Sequence, residues 1–177
     1  MPIATSSQTI GPYWHLLRDD TWSDLTRFGA TGDIIEITGS ITDGGGQLVT
    51  DACVEIWQSS PPQSATFEGF GRAASNEHGA FTFKTLRPGP EPGVHGPSGN
   101  SQQAPHVALT ILARGLTKAL TTRIYFEGDP GQDADPVLSL IENPARRATL
   151  IAHETKPSVW TLDIRLQGEN ETVFLEI

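Results

Sequence analysis

Cysteine, methionine and tyrosine are scarce in this 177-residue chain, which holds one, one and two of them. With Cys53 alone no intrachain disulfide can form. Its setting in Ala52-Cys53-Val54-Glu55-Ile56-Trp57 suits a small buried hydrophobe better than a reactive thiol. Positive charge is also short, with 12 Lys and Arg against 21 Asp and Glu for a net charge of −9, so nucleic acid and anionic membrane surfaces are poor partners. Nowhere do about 18 apolar residues run together, and Met1 to Ser7 carries neither a basic residue nor an apolar core of signal-peptide length. The expected compartment is therefore the cytoplasm. His15, His78, His95, His106 and His153 form no His-x-His or His-x-x-x-His pair, so local metal-ligand spacing is missing. Ser59, Ser60 and Ser98 lie in Pro/Gly-rich stretches without a Gly-x-Ser-x-Gly elbow, which removes that hydrolase reading.

What the chain does have is period-two alternation. It runs through Ile35, Ile37, Gly39 and Ile41, through Phe81 and Phe83, and through Val107, Leu109, Ile111 and Ala113. It returns in Trp160, Leu162, Ile164 and Leu166, and in Val173, Leu175 and Ile177. Turn chemistry separates these blocks at Asp43-Gly44-Gly45-Gly46 and at Asn76-Glu77-His78-Gly79, while Arg87-Pro88-Gly89-Pro90-Glu91-Pro92-Gly93 is too proline-rich for a ladder strand. Short strands with Gly/Pro turns predict an all-β fold, an antiparallel β-sandwich with long loops. Helix signals are confined to Asp135-Pro136, an N-cap followed by Pro, and to Asn143-Pro144-Ala145-Arg146-Arg147. Residues 1–33 lack a clear period and read as an N-terminal arm that lies over the domain or reaches a neighbour, leaving 34–177 as the sandwich. From Pro88 to Ala104 a long loop with four Pro and four Gly is a candidate functional segment.

The remaining candidates have ordinary default roles. Asp129, Asp133 and Asp135 read as a solvated turn and Glu169 and Glu171 as surface acids, because their spacing matches no EF-hand loop. Arg123 and Arg165 are expected in structural ion pairs. Trp14 is expected to staple the arm onto its own domain. His106, opening a strand beside the long loop, is the best placed of the imidazoles.

Several motifs together bring a family into view. Gln8-Thr9-Ile10-Gly11-Pro12-Tyr13, Val54-Glu55-Ile56-Trp57-Gln58, Phe70-Gly71-Arg72, Thr85-Leu86-Arg87-Pro88-Gly89, Ala104-Pro105-His106, Arg123-Ile124-Tyr125-Phe126 and Asp163-Ile164-Arg165-Leu166-Gln167-Gly168 occur in order. They resemble landmarks of the intradiol ring-cleavage dioxygenases, and especially the α chains of protocatechuate 3,4-dioxygenases. That resemblance implies a non-haem Fe(III) centre held by two tyrosines and two histidines, the latter in a His-x-His. Here His106 takes the first histidine position and Ala108 the second, while Glu91 stands where the loop tyrosine would be. Ferric iron favours hard anionic phenolate ligands, so these vestigial metal positions are not expected to retain it.

The resemblance accordingly implies a chain that binds no metal itself, paired with an iron-holding β chain in a higher oligomer of αβ pairs that acts on protocatechuate and O2. Thr9, Gly11, Pro12, Tyr13 and Arg114 would then contribute to the mouth of the partner's substrate pocket, with Arg114 facing the substrate carboxylate. No catalytic residue is expected on this chain alone. The alternative reading is a non-catalytic scaffold or small-aromatic-acid binding protein on the same fold, which fold class by itself does not exclude.

Overall fold

The computed structural model describes residues 9–11, 13–93 and 102–176. Pro12, His95, Ser98 and Ile177 lie outside the described residues. The strands are β1 (Ile34–Thr42), β2 (Cys53–Trp57), β3 (Phe70–Ala74), β4 (Ala80–Leu86), β5 (Glu91–Pro92), β6 (Gln102–Gln103), β7 (His106–Leu112), β8 (Leu120–Phe126), β9 (Ile151–Lys156), β10 (Val159–Thr161) and β11 (Ile164–Arg165). Helix is limited to 3-10 turns and one short α-helix, α1 (Pro144–Ala148), which Asn143 caps by accepting from the Ala145 amide. Among the described residues no helix is long and apolar enough to cross a membrane.

Hydrogen bonding joins the strands in the order β11-β1-β10-β9-β8-β7-β2-β3, with β4 on the other edge of β1. Since β3 and β4 approach without pairing, the sheet curls into a nearly closed barrel with one open seam. Such closure removes most exposed strand edges. The expected antiparallel scheme holds for β1–β4, β2–β3, β2–β7, β7–β8 and β9–β10. It is corrected for β1–β10, β1–β11 and β8–β9, which run parallel. Side-chain alternation has period two in either direction, so the sequence pattern carried no information on this point.

The alternating residues do fill the interior. Ile37, Ile41, Val54, Phe83, Val107, Leu109, Ile111, Ile124 and Phe126 are fully buried in one cluster. Each such side chain contributes about 1.5–3 kcal/mol relative to exposure. The run from Trp160 to Leu166 splits into β10 and β11 because Asp163 turns its carboxylate onto β1, where Oδ1 accepts from Ser40 N and Oγ, both at 2.8 Å. Gly39 permits this crossing: a Cβ there would lie 1.9 Å from the Leu162 carbonyl oxygen.

Part of the predicted arm belongs to the body. Leu25 and Ala30 join the main core, and the Trp22 ring meets Phe70 edge-on at 6.0 Å. The proline-rich stretch also departs from expectation, since Glu91–Pro92 pairs with Gln102–Gln103 in a two-residue ladder. At an edge, proline's missing N–H costs no ladder bond, and the Pro92 carbonyl still accepts from Gln103 Nε2 at 3.2 Å.

Arg87 anchors the start of that stretch. Its guanidinium stacks over Phe126 at 3.8 Å and Trp160 at 4.5 Å, and Nη2 donates to Asp129 Oδ1 at 2.6 Å. Both side chains are only 17% exposed, and burial pushes the Asp129 carboxyl up against the pull of Arg87. Removing one partner strands a buried charge. Asp129→Ala is expected to lower unfolding free energy by about 3 kcal/mol in urea titrations, and Arg87→Met/Asp129→Leu by clearly less.

Cys53 faces the outer side of β2 yet is 1% exposed, and burial, followed by Glu55, pushes its thiol up to about 11. At pH 8 roughly one thiol in a thousand is then thiolate. The native protein is expected to react negligibly with a disulfide reagent at pH 8, and the unfolded chain to release one equivalent.

Candidate functional site

β7 and β8 carry the first group of candidates. Their register sets His106 opposite Tyr125 and Ala108 opposite Arg123. His106 is 6% exposed, its Nδ1 lies 2.8 Å from the Ala104 carbonyl, and its ring centroid sits 5.5 Å from that of Tyr125. Nδ1–H donating to that carbonyl leaves Nε2 as the imidazole's one lone pair. Burial first, and then the Arg123 charge, hold His106 below the usual histidine range, against the opposing pull of Ala104, Glu91 and Asp135. Tyr125 is fully buried. Its hydroxyl donates to Asp135 Oδ1 at 3.0 Å and accepts from Arg123 Nη1 at 3.2 Å. Burial pushes this phenol well above its ordinary range, so it remains a neutral hydroxyl rather than a phenolate.

Asp135 ties the region together, and here the solvated-turn reading is corrected. It is fully buried, and its carboxylate accepts from the amides of Ala104, Val137 and Leu138 as well as from Tyr125. A carboxylate with four donors is satisfied without solvent. The ion pairs expected for Arg123 and Arg165 are also replaced by neutral partners. Arg123 Nη1 donates to Gln103 Oε1 at 2.7 Å in addition to Tyr125, while Arg165 donates to the carbonyls of Gln167 and Gly44.

The donors present can be compared with what ferric iron requires. His106 supplies one lone pair, Ala108 supplies none, Glu91 lies close enough for its charge to act on His106, and the nearest phenol is neutral and already bonded. Among the described residues no group of three or more His, Cys, Asp or Glu side chains could hold a metal ion. This set does not fit Fe(III), whose stable sites use several anionic or imidazole donors.

The second group gathers at the far end of β7. Arg114 lies eight residues beyond His106, about 26 Å away along an extended chain. It is mostly exposed and its Nε pairs with Asp51 Oδ2, while the Asp51 carbonyl accepts from Trp14 Nε1 at 3.1 Å. Asp51 thus holds Arg114 and the start of the arm side by side. Trp14 is half-buried against this edge. Tyr13, in contrast, is 71% exposed, Thr9 is exposed, and Gly11 sits at φ +72°, a left-handed conformation that favours glycine. The arm and the sheet enclose a cavity of about 470 Å³, lined by Gly11, Tyr13, Trp14, Cys53, Glu55, Arg72 and Leu112 among others. In its wall Arg72 donates to Glu55 at 2.5 and 2.8 Å. Ala108, Thr110 and Leu112 alternate with the core residues of β7, so one outer face of the sheet runs from the His106 network to this cavity.

The structure therefore separates the site residues named from sequence into two clusters: His106, Ala108 and Glu91 at one end, and Thr9, Gly11, Tyr13 and Arg114 at the other. Gln103, Tyr125 and Asp135 had not been read as site residues. Nothing in their spacing couples them, although Asp135 preceding Pro136 did mark a capping carboxylate.

Comparison with known proteins identifies the family. The profile of the family described as Dioxygenase matches residues 15–168. The protocatechuate 3,4-dioxygenase alpha chain of Pseudomonas putida is 37% identical over 97% of this chain and 96% of its own length. A protocatechuate 3,4-dioxygenase beta chain from Burkholderia cepacia is 27% identical over 94% of this chain and 77% of its own. Among solved structures, the dioxygenase domain of a dioxygenase carbohydrate-binding protein fusion from Streptomyces sp. SirexAA-E superposes with a TM-score of 0.60 at 22% identity, covering 96% of this chain and 99% of that one. On its sequence matches, and with a fold to accord, this chain belongs to the intradiol dioxygenase family.

Proposed function

We propose that this chain is the α-type subunit of a protocatechuate 3,4-dioxygenase, binding no iron itself and completing the substrate pocket of an iron-holding β chain. The observation that carries this reading is the pairing of an unsuitable donor set at His106, Ala108 and Glu91 with an exposed cluster of arm residues and Arg114 at the opposite end of β7. Its relatives include both an alpha and a beta chain, so a paralogous partner on a related fold is the natural one. Of the 1–33 arm, the part ahead of the segment that packs through Trp22, Leu25 and Ala30 would reach this partner, on a cytoplasmic oligomer of αβ pairs whose individual folds are of the sandwich type.

In the reaction, a catechol bearing a ring carboxylate takes up O2, the bond between the two hydroxyl-bearing carbons breaks, and both oxygen atoms enter the product, 3-carboxy-cis,cis-muconate. None of these bond changes is assigned to this chain. Its share is binding and enclosure. Arg114 offers a fixed cation to the substrate carboxylate, Tyr13 presents an aromatic wall, and Gly11, at its left-handed φ, shapes the backbone that leads into Tyr13. The Arg114–Asp51 pair is exposed and worth about 0–1 kcal/mol, so Arg114 can exchange Asp51 for a ligand at small cost.

Co-expression with the β chain should give a complex containing iron and consuming O2 with protocatechuate, with iron absent when this chain is purified alone. In that complex Arg114→Ala is expected to lower kcat/KM for protocatechuate by roughly 10–100-fold, the range of a lost charge-assisted hydrogen bond. An unchanged value removes Arg114 from the pocket. Tyr13→Ala is expected to impair either ring cleavage or co-purification with β, and wild-type behaviour in both assays counts against the arm's role.

A further inference from the structure

We infer that the Arg123 guanidinium is a built-in cation occupying the position of a metal over the His106–Ala108 stretch, so that the site is closed to metal by a resident charge as well as by missing ligands. The register gives the first reason, because Arg123 stands directly opposite Ala108, the position left without a donor. The direction of the side chain gives the second. Its Nη1 reaches the hydroxyl of Tyr125, the residue opposite His106, so the guanidinium leans along the ladder toward the surviving imidazole. Third, the group is pinned, with Gln103 Oε1 at 2.7 Å and Tyr125 Oη at 3.2 Å accepting from one nitrogen, and Asp135 holding Tyr125 in turn.

Each vestigial position now has a role around this cation. His106 is its neutral neighbour, Ala108 leaves the space above the strand, and Glu91, on β5 beside Gln103, adds compensating negative charge. A planar guanidinium has no lone pair to offer a metal and repels any second cation brought alongside it. A single substitution that restores one imidazole therefore adds a donor without vacating the position. This inference concerns the chain's own residues and stands or falls independently of the subunit reading, because its test needs neither substrate nor turnover.

The test compares Ala108→His, Ala108→His/Arg123→Gln and Ala108→His/Arg123→Lys in the full-length chain. Co(II) is titrated, with visible absorption and bound metal per chain as readouts. If the chain is purified in its complex, the count is of metal in excess of that held by unsubstituted protein. Two imidazoles and Glu91 make a donor set suited to a divalent ion. The expected result is one equivalent bound to the Gln double variant at least about 10-fold more tightly than to Ala108→His alone, with the Lys variant resembling the single one. Adding His106→Ala to the Gln variant should abolish the binding. Equal affinity in the single and Gln variants overturns the inference, and so does a Gln variant that binds no Co(II). Should Arg123→Gln lower the melting temperature, Arg123→Met preserves the stem's packing and takes its place in the same comparison.

Discussion

The ladder between β7 and β8 is the constraint on which the rest depends. Its register decides that Ala108 faces Arg123 and that His106 faces Tyr125, and these two pairings set one imidazole beside a guanidinium held by the Tyr125 hydroxyl and the Gln103 amide oxygen. The inner faces of the same strands supply Val107, Leu109, Ile111 and Ile124 to the core. A slip of one residue would exchange the two sets wholesale. The polar network is therefore held in place by the hydrophobic term, and Asp135, with its four donors, closes it from the side.

Much of the architecture could be read from the residues. Alternation at Ile35, Ile37 and Ile41 and at Val107, Leu109 and Ile111 identified strands and their buried faces, since a half-buried strand has few other ways to be written. The direction in which strands pair was not readable, because a parallel neighbour and an antiparallel one demand the same alternation. The tertiary placement of acids was equally hidden. Asp135 sits among Gly, Pro and other acids in sequence and looks solvated, yet beside the local amides of Val137 and Leu138 it is met by a phenol 10 positions away and an amide 31 positions away.

Site residues divide in the same manner. Missing donors at Ala108 and Glu91 are visible in the sequence once the family resemblance is drawn, since an absent imidazole needs no coordinates to be recognised. What had to wait for three dimensions was the placement of Arg123 against Gln103 and Tyr125, because nothing about it in Thr122-Arg123-Ile124 distinguishes it from a surface arginine. Likewise the association of Trp14 and Arg114 arises through Asp51, which belongs to neither segment. Departures from a family's ligand set are legible one residue at a time, whereas their compensation is distributed over several strands.

The way β10 and β11 lie along β1 bears on how the protein must be made. Asp163 grips Ser40 across 123 positions of sequence, and the carbonyl of Leu162 fills the notch left by Gly39. One edge of β1 thus stays unpaired during synthesis until residues 159–165, more than a hundred positions later, emerge from the ribosome. Long loop closures of this kind slow folding and leave a strand edge open meanwhile. A cell producing this polypeptide faster than it can finish that edge would collect aggregates rather than subunits, whatever the stability of the completed barrel.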